Sequence, residues 1–251
     1  MARQNGIIPI EGTLGNISFY RTKDGMMART KTSVNKSRIQ SDAAFQRTRE
    51  NGKEFGEAGK TGKMLRDSIR ALMLSAADGR VTSRLTKLMS QILKLDVASK
   101  RGDRTVAAGM KTQEGKAKLK GFNFNIQSML GSVLFKPFTL NTSNGNVTIF
   151  DLTPVNDIVA PPGATHVAIK SAVAVINFAA GTSDASFSDP VGVLLDGTKQ
   201  NINLTIPTFP TVVPDSITFH FLKMEFYQEV NGVQYMLNNG TYNCLEITEV
   251  V

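Results

Sequence analysis

The sequence predicts an α+β protein in two parts: an N-terminal β-hairpin with a basic helical bundle, then a C-terminal antiparallel β-sandwich or jelly roll. Charge is one basis, since all twelve arginines lie before residue 105. Residues 1–120 carry 25 Lys and Arg against 11 Asp and Glu, and residues 121–251 carry 4 Lys against 10 Asp and Glu. The other basis is a change from helical to alternating hydrophobic period between residues 120 and 138. We therefore expect two domains, 1–120 and 121–251.

Residues 14–32 have the pattern of a β-hairpin. Two β-rich segments flank Lys23-Asp24-Gly25, and the Asp-Gly pair is typical of a tight turn. Strand alternation puts Ile17 and Phe19 on one face and Tyr20 on the other. One face is thus apolar and the other basic with a single aromatic ring. An isolated hairpin is marginally stable in water, so this one needs a partner surface.

Helical periodicity begins after a polar connector at residues 33–40. Ser41 is the predicted N-cap, with Asp42 in the first turn, where the helix dipole favours an anion. The spacing of the apolar residues then predicts two helical pieces, around 42–58 and 60–76.

The strongest helix of the chain follows an Asp-Gly break at residues 78–79. Its apolar residues recur at i, i+4, i+7 and i+8, which is the stripe of an amphipathic helix. They are Val81, Leu85, Leu88, Met89, Ile92 and Leu93. Residues 99–121 are rich in Lys, Arg and Gly and have few large apolar groups, so we expect a linker or an extended arm there.

The C-terminal half has the pattern of an all-β domain, with few charges and frequent turn residues. The predicted strands are 138–141, 147–152, 166–178, 201–207, 216–230, 233–237 and 242–251. Asn231-Gly232 is a hairpin turn between two of them. About seven strands with regular turns favour an antiparallel sandwich or jelly roll.

Basic residues of the first half are the candidate contacts for a polyanion or a second subunit. With the one aromatic residue of the basic hairpin face, they are Tyr20, Arg29, Lys31, Arg47, Arg49, Lys63, Arg66 and Arg70. Acidic residues interleave with the helical members and can pair with them at i, i+3 or i, i+4. This dilutes a nucleic-acid footprint, so a solvated face is the alternative for the helical part.

Four glycines occupy one side of the predicted helical segment: Gly52, Gly56, Gly59 and Gly62. Together they cost a helix roughly 3–4 kcal/mol relative to alanine. Close packing against a neighbouring element or subunit offsets that cost most simply. The alternative is close approach of a phosphate backbone.

Catalytic and cofactor motifs are not found in the sequence. A Gly-Lys-Thr triplet at residues 59–61 lacks the earlier glycine of a phosphate-binding loop. One cysteine and two histidines do not provide the four ligands of a structural zinc site. We therefore expect no enzyme activity, no cofactor and no metal. No apolar stretch has the length of a signal peptide or a membrane span, so we expect a cytoplasmic protein, released if at all within an assembled particle.

Two segments resemble uncharacterised two-part proteins that are common in Bacteroidota genomes. The first comprises Gly12–Arg21 with Arg47–Asn51 and Glu54–Gly56, and the second is Met224–Tyr235. The resemblance spans most of the chain, although the middle is only loosely similar. It implies a lineage and no activity.

These observations together favour a non-enzymatic structural protein that binds copies of itself or a larger particle. A phage-like virion or tube component and a cellular filament fit equally well. Opposite charge in the two halves favours head-to-tail contacts between copies. Binding of DNA or RNA by the basic half is the first alternative, and a surface or carbohydrate-binding module is the second.

Overall fold

The computed structural model describes residues 2–4, 8, 10–31 and 36–251, with only the backbone described at residues 238 and 239. The chain divides into two compact units, Met1–Asn51 (unit 1) and Gly52–Val251 (unit 2). The expected boundary at residue 120 therefore lies inside unit 2. The helices that follow Asn51 share a buried core with the C-terminal strands, and this core is why the change in charge and period does not separate two bodies.

Unit 1 contains a four-stranded antiparallel sheet in the order β1-β4-β3-β2. Its elements are β1 (Ala2–Arg3), β2 (Gly12–Leu14), β3 (Ile17–Thr22), β4 (Gly25–Thr30), α1 (Lys36–Ser41) and a 3-10 helix (Ala43–Phe45). Strands β3 and β4 confirm the predicted hairpin. Its turn is formed by Lys23 and Asp24 and not by the Asp-Gly pair itself, because Gly25 begins β4 with a φ of 113°.

The start of the helical region differs from the prediction. Residues 32–35, at the end of the predicted hairpin and in the predicted connector, lie outside the described residues. Ser41 ends α1 instead of capping the next helix. The cap is Asp42, whose carboxylate accepts the Ala44 N–H at 2.9 Å. That bond and a contact to Arg38 lower the pKa of Asp42, which is the behaviour of a carboxylate at a helix start.

The remaining helices are α2 (Gln46–Ser68), α3 (Arg70–Met73), α4 (Val81–Leu93), α5 (Val106–Met110), α6 (Gln113–Leu119), α7 (Leu130–Val133), α8 (Pro154–Asp157) and a second 3-10 helix (Leu237–Gly240). Helix α4 confirms the strongest helical prediction. The two predicted pieces around 42–58 and 60–76 are instead one long helix with a break at Ile69. Unit 1 ends within the second turn of that helix.

Nine strands form the sheets of unit 2: β5 (Thr139–Leu140), β6 (Val147–Leu152), β7 (His166–Asn177), β8 (Thr182–Phe187), β9 (Val191–Leu194), β10 (Gln200–Leu204), β11 (Ile217–Val230), β12 (Val233–Met236) and β13 (Cys244–Val250). The long strands β7 and β11 pair along eleven residues. Strands β8 and β9 continue the sheet beyond β7, and β12 and β13 continue it beyond β11. Strands β10, β6 and β5 form a separate small sheet. All pairings are antiparallel.

The large sheet is buried on both faces. One face carries Ala174, Phe219 and Phe221, which share a core with the buried residues of α2, α4, α5 and α6. The other face carries Ile169 and Met224, which pack with the small sheet and with α7. Successive residues of a strand point to opposite faces, so β7 and β11 supply both cores.

Residues 99–121 are not an arm. Val106, Met110 and Leu119 are fully buried, and they anchor α5 and α6 in the core on the helical face. Close packing explains Gly109, where a Cβ would lie 2.1 Å from the carbonyl oxygen of Ile92. Threonine caps at the starts of α5 and α6 satisfy their first N–H groups. The small side chains that resembled a linker permit close helix contact instead.

Candidate functional site

The sheet of unit 1 has one apolar face. Directly paired residues of an antiparallel sheet share a face, so the register places the apolar side chains of four strands together. We define the apolar face by Ala2, Leu14, Ile17, Phe19, Met26 and Ala28; the exposed Arg21, which pairs with Met26, lies at its edge beside the hairpin turn. Leu14 is 75% exposed and Ile17 is 44% exposed. Every residue from 2 to 51 that the structure describes is at least partly exposed.

The opposite face is basic. It carries Arg3, Tyr20, Met27 and Arg29, and we call it the basic face. The Arg29 guanidinium lies over the Tyr20 ring, 5.4 Å from its centroid. A cation over an aromatic face is attracted by the ring quadrupole, so two of the predicted contact residues are brought together here. Lys31 follows the end of β4 and is exposed.

Two other predicted contacts of unit 1 have internal partners. Arg49 donates from Nη1 to the carbonyl oxygens of Ile39 and Asp42, both at 2.8 Å. These bonds join the end of α1 to α2. Arg47 pairs with Glu50 at 2.8 Å. Binding of a polyanion by either arginine therefore competes with these hydrogen bonds.

The three predicted contacts in unit 2 are Lys63, Arg66 and Arg70, and they differ in their partners and in the helix that carries them. Lys63 lies 4.0 Å from Asp67, one turn further along α2. Arg66 donates from Nε to the carbonyl oxygen of Gly62 at 3.3 Å. Arg70 is exposed but begins α3, after the break at Ile69. The predicted single stripe is thus divided between two helices.

Close packing holds for only one of the four predicted glycines. A Cβ at Gly62 would lie 3.6 and 3.7 Å from side-chain atoms of Leu85 and Met89 on α4. At Gly52, Gly56 and Gly59 an added Cβ would meet no described atom within 4 Å. Within the chain close packing is therefore found only at Gly62, and packing of the other three against a second subunit stays a prediction.

An open cleft of about 310 Å³ separates α2 from the loop at residues 100–105. Its lining residues are Lys53, Gly56, Glu57, Lys60, Gly102, Asp103, Arg104 and Thr105. Sequence reasoning missed this cleft because the loop was assigned to a linker. The sequence does contain one indication of the cleft: Lys53 and Lys60 recur at i, i+7 with Gly56 between them.

A buried ionic group ties the helices of unit 2 to its sheet. Lys223 is 4% exposed and donates to Ser75 Oγ at 2.7 Å, and it pairs with Glu225 at 2.8 Å. The Ser75 hydroxyl in turn donates to Glu225 Oε1 at 2.5 Å. Burial lowers the pKa of Lys223, and the contact with Glu225 opposes that shift. Each polar group has a charged partner, which is the condition for burying an ion pair without a large loss of stability.

Burial shifts the pKa values of two further groups, Cys244 and His220. Burial raises the pKa of the Cys244 thiol to about 12, so the nucleophilic thiolate is scarce at neutral pH. His220 is 1% exposed, and burial lowers the pKa of its ring. Among the described residues neither of its ring nitrogens has a hydrogen-bond partner. Phe209 lies beside the ring, with centroids 6.4 Å apart.

Among the residues that the structure describes, no three His, Cys, Asp or Glu side chains are grouped so as to hold a metal ion. In the same part of the chain, no helix is both long enough and apolar enough to span a bilayer.

No protein-family model matches the chain, and neither curated proteins nor solved structures give a match. The resemblance to two-part Bacteroidota proteins is neither supported nor contradicted by these comparisons, so it stays a prediction. A functional proposal must therefore rest on the surfaces described above.

Proposed function

We propose that this chain is a non-enzymatic structural protein that assembles with copies of itself through the apolar face of unit 1. Each subunit would comprise a basic N-terminal part and an acidic β-sandwich or jelly roll. The observation that carries the proposal is the exposure of the sheet: no residue described between 2 and 51 is buried. A virion-like particle, a tube and a cellular filament are the assemblies that this proposal covers.

Exposure of an apolar sheet face to water costs free energy. A sheet is stabilised mainly by burying one apolar face, and small isolated sheets are marginal in water. The apolar face holds Leu14, Ile17, Phe19 and Met26, and contiguous patches of this kind mark interaction sites. Covering them stabilises the contact by about 25 cal/mol per Å² of apolar area.

A second copy is the partner that the charge distribution favours. Residues 1–51 carry nine Lys and Arg against four Asp and Glu, a net charge of +5. Residues 121–251 carry a net charge of −6, from 4 Lys against 10 Asp and Glu. The sheet of one copy is thus attracted to the acidic half of another. A contact between two unlike surfaces repeats from copy to copy, which produces rings or filaments.

Nucleic acid is the alternative partner, supported by the cation–π pair on the basic face. The engagement of Arg47 and Arg49 in internal bonds reduces the number of cations at hand for phosphates. Each phosphate contact on duplex DNA contributes about −0.9 to the slope of log affinity against log salt. A band-shift series in salt therefore measures how many cations take part.

The test is sedimentation velocity of the full chain over a wide range of concentration. In the variant Ile17→Ser/Phe19→Ser the apolar face becomes polar, so assembly should weaken by at least about tenfold, because two large side chains lose about 1.5–3 kcal/mol each. Met27→Ser is the matched control, since it makes the same kind of change on the basic face. It should leave assembly unchanged.

A strictly monomeric wild-type chain at all concentrations and salt levels would overturn the proposal. Equal loss of assembly in the control variant would also contradict it, because assembly would then not use the apolar face. Circular dichroism of each variant separates a lost contact from a lost fold. Raised salt should loosen the assembly in part, since screening weakens its electrostatic component.

A further inference from the structure

The cleft between α2 and the loop at residues 100–105 has a floor made by one stripe of the helix. Lys53, Gly56, Glu57 and Lys60 are spaced at i, i+3, i+4 and i+7, and such residues share a helix face. Gly56 stands in the middle of this stripe. An added Cβ there would meet no described atom within 4 Å, so the glycine leaves the floor of the cleft open.

The opposite wall of the cleft is a loop fixed by acidic anchors. The Gly102 N–H donates to Glu54 Oε1 at 2.8 Å, and the Thr105 N–H donates to Asp96 Oδ2 at 3.0 Å. Lys53 adds an ion pair with Asp103 at 2.5 Å. The wall is therefore held on both sides of Arg104, which is the arrangement of a preformed site.

Two cations of the cleft lack a counter-charge. The side chains of Lys60 and Arg104 make no hydrogen bond or ion pair with any residue that the structure describes. The Nε atom of Arg104 is enclosed and has no hydrogen-bond partner among those residues. Lys53 is neutralised by Asp103, and the remaining charge in the lining is the carboxylate of Glu57.

We propose that this cleft binds the phosphate group of a ligand. Arg104 supplies the guanidinium, whose planar fork matches two phosphate oxygens, and Lys60 supplies a point charge. Gly56 lets the group approach the helix backbone closely.

Because Glu57 is negative, its removal should have the opposite effect on phosphate binding to the removal of Lys60 or Arg104. A carboxylate beside a bound phosphate repels it, so the native cleft binds more weakly than its cations alone would allow. Removing that charge should strengthen binding, whereas removing either cation should weaken it. A merely structural role for these side chains does not produce changes of opposite sign.

The phosphate could belong to a small phosphorylated molecule or to a nucleic-acid backbone. Equilibrium dialysis of the full chain distinguishes them, with radiolabelled orthophosphate in one arm and a short DNA duplex in the other. Ionic strength is held constant with chloride, because exposed charges respond to screening. Binding of orthophosphate indicates a small ligand, and binding of the duplex alone indicates a backbone phosphate.

The decisive variants are Arg104→Gln, Lys60→Gln and Glu57→Gln, with Lys87→Gln as the control on an exposed position of α4. Arg104→Gln should weaken binding of whichever probe binds by about tenfold or more, since it removes a charge-assisted hydrogen bond. Lys60→Gln should weaken binding less, Glu57→Gln should strengthen it, and Lys87→Gln should leave it unchanged.

Three results would overturn the proposal. They are failure of both probes to bind the native chain, unchanged binding in Arg104→Gln, and equal weakening in Arg104→Gln and Lys87→Gln. The unfolding midpoint of each variant in urea shows whether the fold is retained. The site does not depend on assembly, so the dialysis result is interpretable whether or not the chain proves to be an oligomer.

Discussion

Units 1 and 2 are built from the same kinds of element but differ in what stabilises them. The sheet of unit 1 has four antiparallel strands and no buried side chain among its described residues. The large sheet of unit 2 is covered on both faces, and Phe219, Phe221 and Phe226 are at most 1% exposed. Both units therefore have paired strands, but among the described residues only unit 2 has a buried hydrophobic core.

The difference indicates that an apolar strand face identifies a surface to be covered but not what covers it. In unit 2 the covering elements are helices on one face and a small sheet on the other. In unit 1 the residues of the apolar face stay at least partly exposed, and we propose that a second copy covers them. Stability measurements on variants of each unit test this difference.

The largest expected contrast comes from deleting a phenylalanine ring in each unit. Phe221→Ala removes a ring that contacts Phe124 and Phe219, with centroids 6.2 and 6.4 Å away. It should lower the free energy of unfolding by about 3–5 kcal/mol, the usual cost of an emptied core site. Phe19→Ala removes a half-exposed ring from the apolar face and should cost under about 1 kcal/mol at concentrations where the chain is monomeric.

Urea unfolding measures both changes, and labelling of the Cys244 thiol provides a second probe. That thiol is buried in unit 2 and reacts only when the unit opens. Phe221→Ala should accelerate labelling, and Phe19→Ala should not. Equal destabilisation by the two variants would show that the apolar face is already buried as a core, which contradicts the contrast.

The next contrast uses two helical glycines with opposite surroundings. In Gly109→Ala the new methyl group would meet the carbonyl oxygen of Ile92 at 2.1 Å, so α4 and α5 must separate. We expect a loss of about 3 kcal/mol from this overpacking. In Gly56→Ala the methyl group has open space and the helix gains propensity, so a gain of about 0.5–1 kcal/mol is expected. Thermal unfolding of both variants decides; destabilisation by Gly56→Ala would show that this position is packed after all.

These glycines show where sequence reasoning succeeded and where it did not. Helix α4 and the strands β6, β7 and β11 were predicted with bounds close to those observed, because each has a long, regular hydrophobic period. Glycine has no side chain, so its positions do not contribute to a hydrophobic period. Its spacing in α2 predicted packing that occurs within the chain only at Gly62, and the tightly packed Gly109 was assigned to a linker.

The missed strand β8 has a related cause. It reads Thr-Ser-Asp-Ala-Ser-Phe, which is polar, and it pairs with β7 on one side as a short outer strand. Outer strands carry polar and charged residues that prevent edge-to-edge pairing, and in β8 these residues hide the strand pattern. The basic and apolar faces of unit 1 were predictable from alternation. The cleft beside α2 was not, because it depends on a loop that is held against α2 by Glu54, 48 residues before Gly102 in the sequence.

The smallest expected effect depends on pH and belongs to unit 2 alone. Burial holds the pKa of His220 below its ordinary value of 6.5, although the charge of Glu249 opposes this shift. Glu249 pairs with Lys120 at 2.5 Å, and its own pKa is lowered mainly by that contact against the effect of burial. At low pH the unfolded chain binds a proton at His220 that the native ring resists.

Stability should therefore fall as pH decreases below about 6.5, by at most about 1.4 kcal/mol per pH unit until the native ring also protonates. His220→Leu replaces the ring by an apolar side chain and should flatten this part of the stability curve. Urea unfolding of both proteins at pH 7.5, 6.5 and 5.5 measures the difference, and titrations common to both cancel. His166, which lies 3.5 Å from Glu229, is retained in each protein. An unchanged slope in His220→Leu would mean that the ring is hydrated in solution, and the core of unit 2 would then be less completely closed than its contrast with unit 1 requires.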